Sequence, residues 1–342
     1  MPGSDMTELH ISMDRLEAMA AGILIAHNTS AENAGKVAQA VVLAEADGQP
    51  GHGVSRLPSY AAQARSGKVD GHATPSVTQV GTASIRVDAE GGFAYPALHL
   101  AIDELVKLVP GVGLAGASIA NSHHSGVAGH HVETVARKGL IGLCLSNGPA
   151  AIAPWGGKKG IFSTNPLAFA APRRGHDPLV IDMSLSKLAR GKINVAAKNG
   201  DTLQEGLALD SDGSPTTDPQ AALAGTMLPM GDAKGAQLVL MVEILAAALS
   251  ASHFGYEADS FFTGEGQQPR VGQFLLAIDP ATFSQGQFAM RLEDLLAAIL
   301  SQPGTRLPGA RRFESRRHSE ANGVVIPPLL ADQLSKLAKH PE

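Results

Sequence analysis

Apolar residues recur along this chain in two rhythms. Over residues 11–27 they fall at helical spacing, and Thr29 followed by Glu32 gives a capping-box start for a second helix reaching about Ala46. The segment Asp47-Gly-Gln-Pro-Gly-His-Gly then breaks the pattern, and residues 54–65 return to it, so His52 is expected on a tight loop between helices. Alternation over 76–88 predicts strands, and 96–109 predicts a helix. Four short apolar runs bounded by Gly, Pro, Asn or His follow at 114–119, 140–145, 167–171 and 179–181, and these read as buried strands. Helices are expected at 124–138, 184–198, 237–250, 290–300 and 327–337, with a strand at 271–278 and a turn-rich stretch at 199–219.

The predicted fold class is therefore α/β, with a mixed or antiparallel sheet. Residues 76–288 would form that part, and residues 1–75 together with 289–342 would form a helical domain. Neither end carries enough apolar surface for a core of its own.

Composition narrows the function. The 342 residues are 44% hydrophobic and 17% charged, which excludes a disordered chain. The net charge of -5 arises from 27 basic and 32 acidic residues with no long single-sign run, so neither nucleic acid nor an anionic membrane is an expected partner; a small molecule is. A single cysteine, Cys144, lies inside an apolar run and points to a reducing compartment. Asp5 and Glu8 precede any apolar stretch, and Glu243 interrupts the longest apolar helix, so neither a signal peptide nor a membrane span is expected and the protein reads as cytoplasmic.

Candidate chemistry concentrates in loops. Gly111-Val-Gly-Leu-Ala-Gly matches the dinucleotide pattern GxGxxG, but that pattern requires a strand before it and a helix after it. Here a helix precedes and a strand follows, so it reads as a helix-to-strand turn. His123, His124, His130 and His131 suggest zinc, yet apart from Glu133 no neighbouring acidic or Cys cluster completes a ligand set, and no metal is expected. Asp210-Ser-Asp-Gly-Ser begins like a calcium loop, but Ala221 stands where the bidentate Glu belongs. His52, flanked by glycines, suits a proton donor near neutral pH, and Lys158, Lys159, Lys187 and Lys234 offer positive charge to an anion, Lys234 near a helix start.

Several longer motifs occur in order: Asp47-Gly-x-x-Gly-His-Gly-Val-Ser-Arg-Leu-Pro, Asn121-Ser-His-His, Ala153-Pro-Trp-Gly-Gly, Thr164-Asn-Pro-Leu-Ala-Phe, Asp182-Met-Ser, Ala189-Arg-Gly-Lys and Leu228-Pro-Met-Gly-Asp-Ala-Lys-Gly. Together they resemble the type 2 malate/L-lactate dehydrogenase family, from about residue 15 to Arg306-Leu-Pro-Gly and beyond. The resemblance implies a non-Rossmann, NAD(P)-dependent oxidoreductase of small 2-oxo or 2-hydroxy acids, of the malate, lactate or sulfolactate type. The family also contains reductases of cyclic imino acids such as piperideine- and pyrroline-2-carboxylate. It further implies a homodimer, and NADP(H) ahead of NAD(H).

By matching positions, His52 would be the proton donor, His124 would face the substrate with Arg56 and Thr164, and Asp182 would join the polar network that orients the catalytic histidine. The cofactor would contact Ser146, Thr164, Asn165, Ile181, Asp182, Met183, Ser184, Lys187, Ala233, Lys234, Gly309, Ala310 and Arg311. Arg311, Arg312 and Lys187 are candidate partners for a 2′-phosphate. Many relatives carry Ser before the catalytic His, where this chain has Gly51, so a relay through that hydroxyl is absent or replaced. A non-catalytic ligand-binding protein or a zinc protein is the alternative from another class.

Overall fold

The computed structural model describes residues 9–339; Asp5 and Glu8 lie outside the described residues. The chain opens with a short strand β1 (Leu9–Ile11) and three helices, α1 (Met13–Ala26), α2 (Ala31–Ala46) and α3 (Leu57–Ser66). Ser30, not Thr29, caps α2, because its hydroxyl accepts from the Asn33 N–H. Between α2 and α3 two single turns of 3₁₀ helix, Pro50–His52 and Val54–Arg56, carry the His52 loop.

Next come β2 (Ser76–Gly81), β3 (Ser84–Asp88), α4 (Ala94–Val112), β4 (Leu114–Ser122), α5 (Ala128–Arg137), β5 (Ile141–Ser146), β6 (Leu167–Ala171) and β7 (Leu179–Met183). An excursion follows: α6 (Arg190–Asn199), β8 (Ala208–Leu209), β9 (Pro215–Thr216), α7 (Pro219–Ala224), β10 (Thr226–Met227) and α8 (Asp232–Glu243), the last prolonged by a π turn at Ile244–Ala248. The central strand β11 (Val271–Ile278) precedes α9 (Pro280–Ser284), α10 (Phe288–Leu300), α11 (Ala310–Asn322), β12 (Val324–Ile326) and α12 (Pro328–Lys339).

The main sheet has seven strands in the order β2-β3-β4-β11-β5-β6-β7. The β3–β4 pair, joined by α4, is parallel and every other pair is antiparallel. Gly113, at φ 80°, ends α4 and opens β4, which makes the GxGxxG match the helix-to-strand turn that its order implied.

One sheet face packs Leu98, Ile102, Val132 and Val135 from α4 and α5 against Ile119, Leu275 and Ala277. The opposite side buries Leu145, Phe162, Val239 and Val242 beneath α8. β11 runs between the two and has no exposed residue along its length, as a strand covered on both sides requires. At Gly272 the π turn crosses β11 so closely that a Cβ would lie 1.9 Å from the Ala246 carbonyl oxygen.

A third core joins α1, α2 and α3 to Val324, Ile326 and Leu334 near the C-terminus, and β1 pairs with β12. Helix α11 packs on α2, and α12 on α1 and α3. By contrast, α10 is tied through Glu293 to Arg173, which follows β6.

Helix boundaries differ from the expected ones where loops replace first turns. α5 starts at Ala128 rather than 124, after Gly126 takes φ 67°, and α6 starts at Arg190 rather than 184. Asp210 Oδ1 accepts from the Asp212 and Ser214 N–H groups, so Asp210-Ser-Asp-Gly-Ser is the turn of the β8–β9 hairpin.

Candidate active site

The His52 loop is held from several sides. Val54 N–H donates to Glu45 Oε2 (2.9 Å), Arg56 Nε donates to the Gly51 carbonyl (2.8 Å), and His52 N–H donates to the Gln49 carbonyl (2.9 Å). Burial raises the Glu45 pKa, opposed by that Val54 hydrogen bond. Gly53 makes the approach possible, because a Cβ there would sit 1.9 Å from Glu45 Oε2.

His52 and His124 line one cavity of about 1280 Å³, together with Arg56, Ser146, Thr164, Asp182 and Ser184. Arg56 rests over the Phe262 ring, 4.5 Å from its centroid, and its Nη1 is buried without a hydrogen-bond partner. That nitrogen is a donor awaiting an acceptor. Arg190 and Lys192 line the same cavity, as do Tyr256, Phe261 and Phe262, whereas Asp182 is its acidic side chain among the described residues.

Burial, and then the charge of Arg56 and the neighbouring His130, lower the His52 pKa to about 4. His124 is driven well below its ordinary value by burial and by Arg56 and His52. Both imidazoles are thus neutral at pH 7 before an anion binds.

Asp182 does not hydrogen-bond either histidine, contrary to its expected place in the network that orients the catalytic one. Its Oδ2 accepts from Gly129 N–H at the start of α5 (3.0 Å) and lies 3.7 Å from Arg312 Nη2. Burial raises its pKa against the opposing pull of Arg312 and Gly129. Arg312 Nε in turn lies 3.7 Å from Asp47, which receives Arg316 through both oxygens (2.7 and 2.8 Å) and His130 (2.9 Å). Burial opposes ionisation of Asp47, but these hydrogen bonds hold its carboxyl below the usual range. Arg312, 7% exposed and enclosed between two carboxylates, is therefore not placed to receive a 2′-phosphate.

Other expected cofactor residues lie outside the cavity wall. Asn165 Nδ2 donates to the Val239 carbonyl and to Glu243 Oε2, so its side chain fastens the Thr164 turn to α8. Ile181 and Met183 alternate with Asp182 on β7 and point to the other sheet face. Lys187 forms an ion pair with Asp232 (2.7 Å), which brings the Ser184 loop beside Ala233 and the exposed Lys234 at the start of α8. Gly309 approaches Val180 at the edge strand, where a Cβ would lie 2.9 Å from its carbonyl oxygen; Ala310 and the exposed Arg311 open α11 there.

The four clustered histidines diverge. His123 Nε2 reaches Gln63, His124 Nδ1 reaches Tyr60, His130 reaches Asp47 and His131 reaches the Ser125 carbonyl. Among the described residues no group of three His, Cys, Asp or Glu side chains is placed to hold a metal ion. Lys158 and Lys159 follow Trp155 on an exposed turn away from the cavity lining. Sequence reasoning missed Arg190 and Lys192 as cavity residues, although their motif Ala189-Arg-Gly-Lys was in view, and missed Tyr60, which no motif marked.

The family model described as malate/L-lactate dehydrogenase matches residues 11–335. The chain belongs to this family. As a member of it, the protein is a dehydrogenase/reductase with the family's mixed α/β fold. It is 50% identical over 328 residues to a (2R)-3-sulfolactate dehydrogenase (NADP(+)) of Chromohalobacter salexigens, covering 96% of this chain and 98% of that relative. It is 40% identical to a Delta(1)-pyrroline-2-carboxylate/Delta(1)-piperideine-2-carboxylate reductase of Pseudomonas putida, covering 94% and 95%.

Among solved structures, delta1-piperideine-2-carboxylate reductase from Pseudomonas syringae pvar. tomato superposes with TM-score 0.91 at 39% identity, covering 96% of this chain and 99% of that one. Sulfolactate dehydrogenase from Methanocaldococcus jannaschii gives TM-score 0.89 at 27% identity, covering 97% of each. No helix among the described residues is long and apolar enough to cross a membrane.

Proposed function

We propose that this dehydrogenase uses NADP(H) to interconvert a small 2-oxo acid bearing a second acid group with its 2-hydroxy acid, in the manner of sulfolactate or malate. The observation that carries the reading is the lining of one cavity by Arg56, Arg190 and Lys192 beside the His52–His124 pair. One cation matches the C1 carboxylate, and two remain for a sulfonate or carboxylate and for cofactor phosphate.

The cavity fits a dinucleotide and a small acid together: pockets for one small ligand measure roughly 300–1,000 Å³, and this one reaches about 1280 Å³. Ser146, Thr164, Ser184 and the loop to Lys187 are the proposed cofactor contacts, with Ala233, Lys234 and Gly309 to Arg311 completing them at the rim. When bound, the nicotinamide supplies the hydride.

The chain's own residues supply the remainder. Arg56, with Nη1 free, takes the substrate carboxylate and holds C2 near the two histidines. Burial is the main cause of the low His52 pKa and the Arg56 charge the next; an anion on Arg56 offsets that second cause, so substrate binding raises the readiness of His52 to carry a proton. His52 then protonates the oxygen at C2 as charge develops there. With Gly51 in place of a hydroxyl-bearing residue, His52 is reloaded from solvent through the open cavity.

The homodimer belongs to the same reading. It is supported by the exposed apolar residues Leu240, Met241, Ile244 and Leu249 on α8 and its π turn. A cytoplasmic location is supported by Cys144, whose thiol is buried and driven upward in pKa by that burial.

A second reading, cyclic ketimine reduction, is favoured by the aromatic wall of Tyr256, Phe261 and Phe262, against which an apolar ring would pack. The test is loss of reduced-nicotinamide absorbance with NADPH and NADH against sulfopyruvate, oxaloacetate, pyruvate, pyrroline-2-carboxylate and piperideine-2-carboxylate. NADPH-linked turnover of the two diacids above the others is expected. Preference for the cyclic imines would transfer the assignment to the second reading.

A further inference from the structure

Behind His124 lies a pair of tyrosine hydroxyls to which the reaction above gives no role. Tyr60, on α3, is fully buried, and its hydroxyl oxygen lies 2.6 Å from His124 Nδ1 and 3.1 Å from the Tyr95 hydroxyl. Tyr95 stands in the first turn of α4, 2% exposed, and its hydroxyl has no other hydrogen-bond partner among the described residues. Gly126 closes over it, since a Cβ at that position would lie 2.5 Å from the Tyr95 oxygen. His124 Nε2 has no protein partner among the described residues, and His124 lines the cavity.

Each hydroxyl has one proton to give. Suppose His124 carried its proton on Nδ1: it would donate to Tyr60, Tyr60 would donate to Tyr95, and the Tyr95 proton would be buried with no acceptor. In the reverse direction Tyr95 donates to Tyr60 and Tyr60 donates to Nδ1, so every buried donor is used. An unmet buried donor is the costlier state, and it decides the direction.

We propose that Tyr95 and Tyr60 form a directional pair of hydrogen bonds that fixes His124 with its proton on Nε2, aimed into the cavity. His124 is then a neutral donor to the carbonyl oxygen or carboxylate of the substrate, and it transfers no proton. The proton itself passes through His52 alone. Tyr60 and Tyr95 are positioning residues that act through His124. Burial raises the pKa of both tyrosines, in agreement with hydroxyls that stay protonated. The inference rests on the reading that reduction takes place at the His52–His124 pair, but the tautomer does not depend on the identity of the substrate.

The experiment is long-range ¹H–¹⁵N correlation on the free, full-length enzyme with ¹⁵N-labelled histidine at pH 7.5, with His124 assigned by the signals that His124→Gln removes. Wild type is expected to show a protonated Nε2 and a bare Nδ1 at His124. In Tyr60→Phe an Nδ1–H population should appear, kcat for reduction should fall about tenfold or more, and the Kd for NADPH should stay unchanged. Tyr95→Phe, which leaves Tyr60 still donating, should keep the tautomer and lose less activity. A wild-type His124 protonated at Nδ1 would overturn the proposal, as would a Tyr60→Phe enzyme with unaltered spectrum and kcat. If the tautomer is as expected and no 2-oxo acid is turned over, the functional reading fails while the tautomer assignment stands.

Discussion

His52 and His124 lie face to face, with ring centroids 5.3 Å apart and planes 11° from parallel. At that separation two imidazolium ions repel, so the pair carries at most one positive charge at a time. The two rings therefore take different roles. His52→Ala should lower kcat for reduction by about 10²–10⁴-fold while leaving NADPH affinity, read by energy transfer from Trp155, near wild type. Lys234→Ala should show the converse, weaker NADPH binding with kcat retained. Equal losses of both quantities in either variant would contradict the division.

The low pKa of His52 sets a pH signature. Because the free protein holds it at about 4, the protonated fraction above that pH shrinks as pH rises. For reduction of a 2-oxo acid that is fully ionised throughout, kcat/KM should therefore fall steadily between pH 5 and 8. Once an anion on Arg56 has raised the His52 pKa, kcat should hold to higher pH than kcat/KM does. For oxidation, which needs neutral His52 as base, kcat/KM should be flat over the same range. A reductive kcat/KM that rises with pH would exclude His52 as the proton donor.

The ion cluster behind the loop gives a stability prediction. Arg316 satisfies Asp47 and Glu133 at 2.7–2.9 Å, and both carboxylates are almost wholly shielded from solvent. Arg316→Met removes the cation shared by two buried carboxylates and leaves Asp47 only His130 and the more distant Arg312, and Glu133 only Arg137, at a cost of about 3–5 kcal/mol. A large drop in the thermal midpoint is expected, and Asp47→Asn in the same background should recover part of it. An unchanged midpoint would show that the cluster contributes nothing to stability.

Gly53→Ala tests how the loop is held without touching the cavity chemistry. Its φ of -85° suits any residue, so the penalty arises from contact with Glu45. Displacing that carboxylate strands the Val54 N–H, at about 1–3 kcal/mol, and loosens His52. Both kcat and the thermal midpoint should fall, and Gly51→Ala, where a Cβ meets nothing within 4 Å, is the control.

Much of this architecture was legible in the chain. Residues 114–119, 167–171 and 271–278 announced themselves as strands because both sheet faces are covered, which leaves short apolar runs bounded by turn residues. The helix Ala310–Asn322 did not, because its inward face is made of Arg312, Phe313, Arg316 and Ser319: charges that pair with Asp47, Glu133 and Asp182 look in sequence like a solvated surface. His52 and Arg56 could be placed in the site from their motif and loop. Arg312 stood beside Arg311 and Lys187 as one candidate for a 2′-phosphate because its partners, far away in sequence, are invisible to spacing. Tyr60 carried no signal at all, since a tyrosine on an apolar helix face looks like core, and its meaning comes from the 2.6 Å approach to His124.

The measurement that bears most directly on the central claim is mass spectrometry of the product formed from sulfopyruvate with NADPH deuterated at C4, using both stereoisomers. The account predicts one deuterium at C2 of the 2-hydroxy product from one of the two isomers, and a rate that collapses in His52→Ala. Product without deuterium at C2 from both isomers, or formed as fast by the His52 variant, would contradict it.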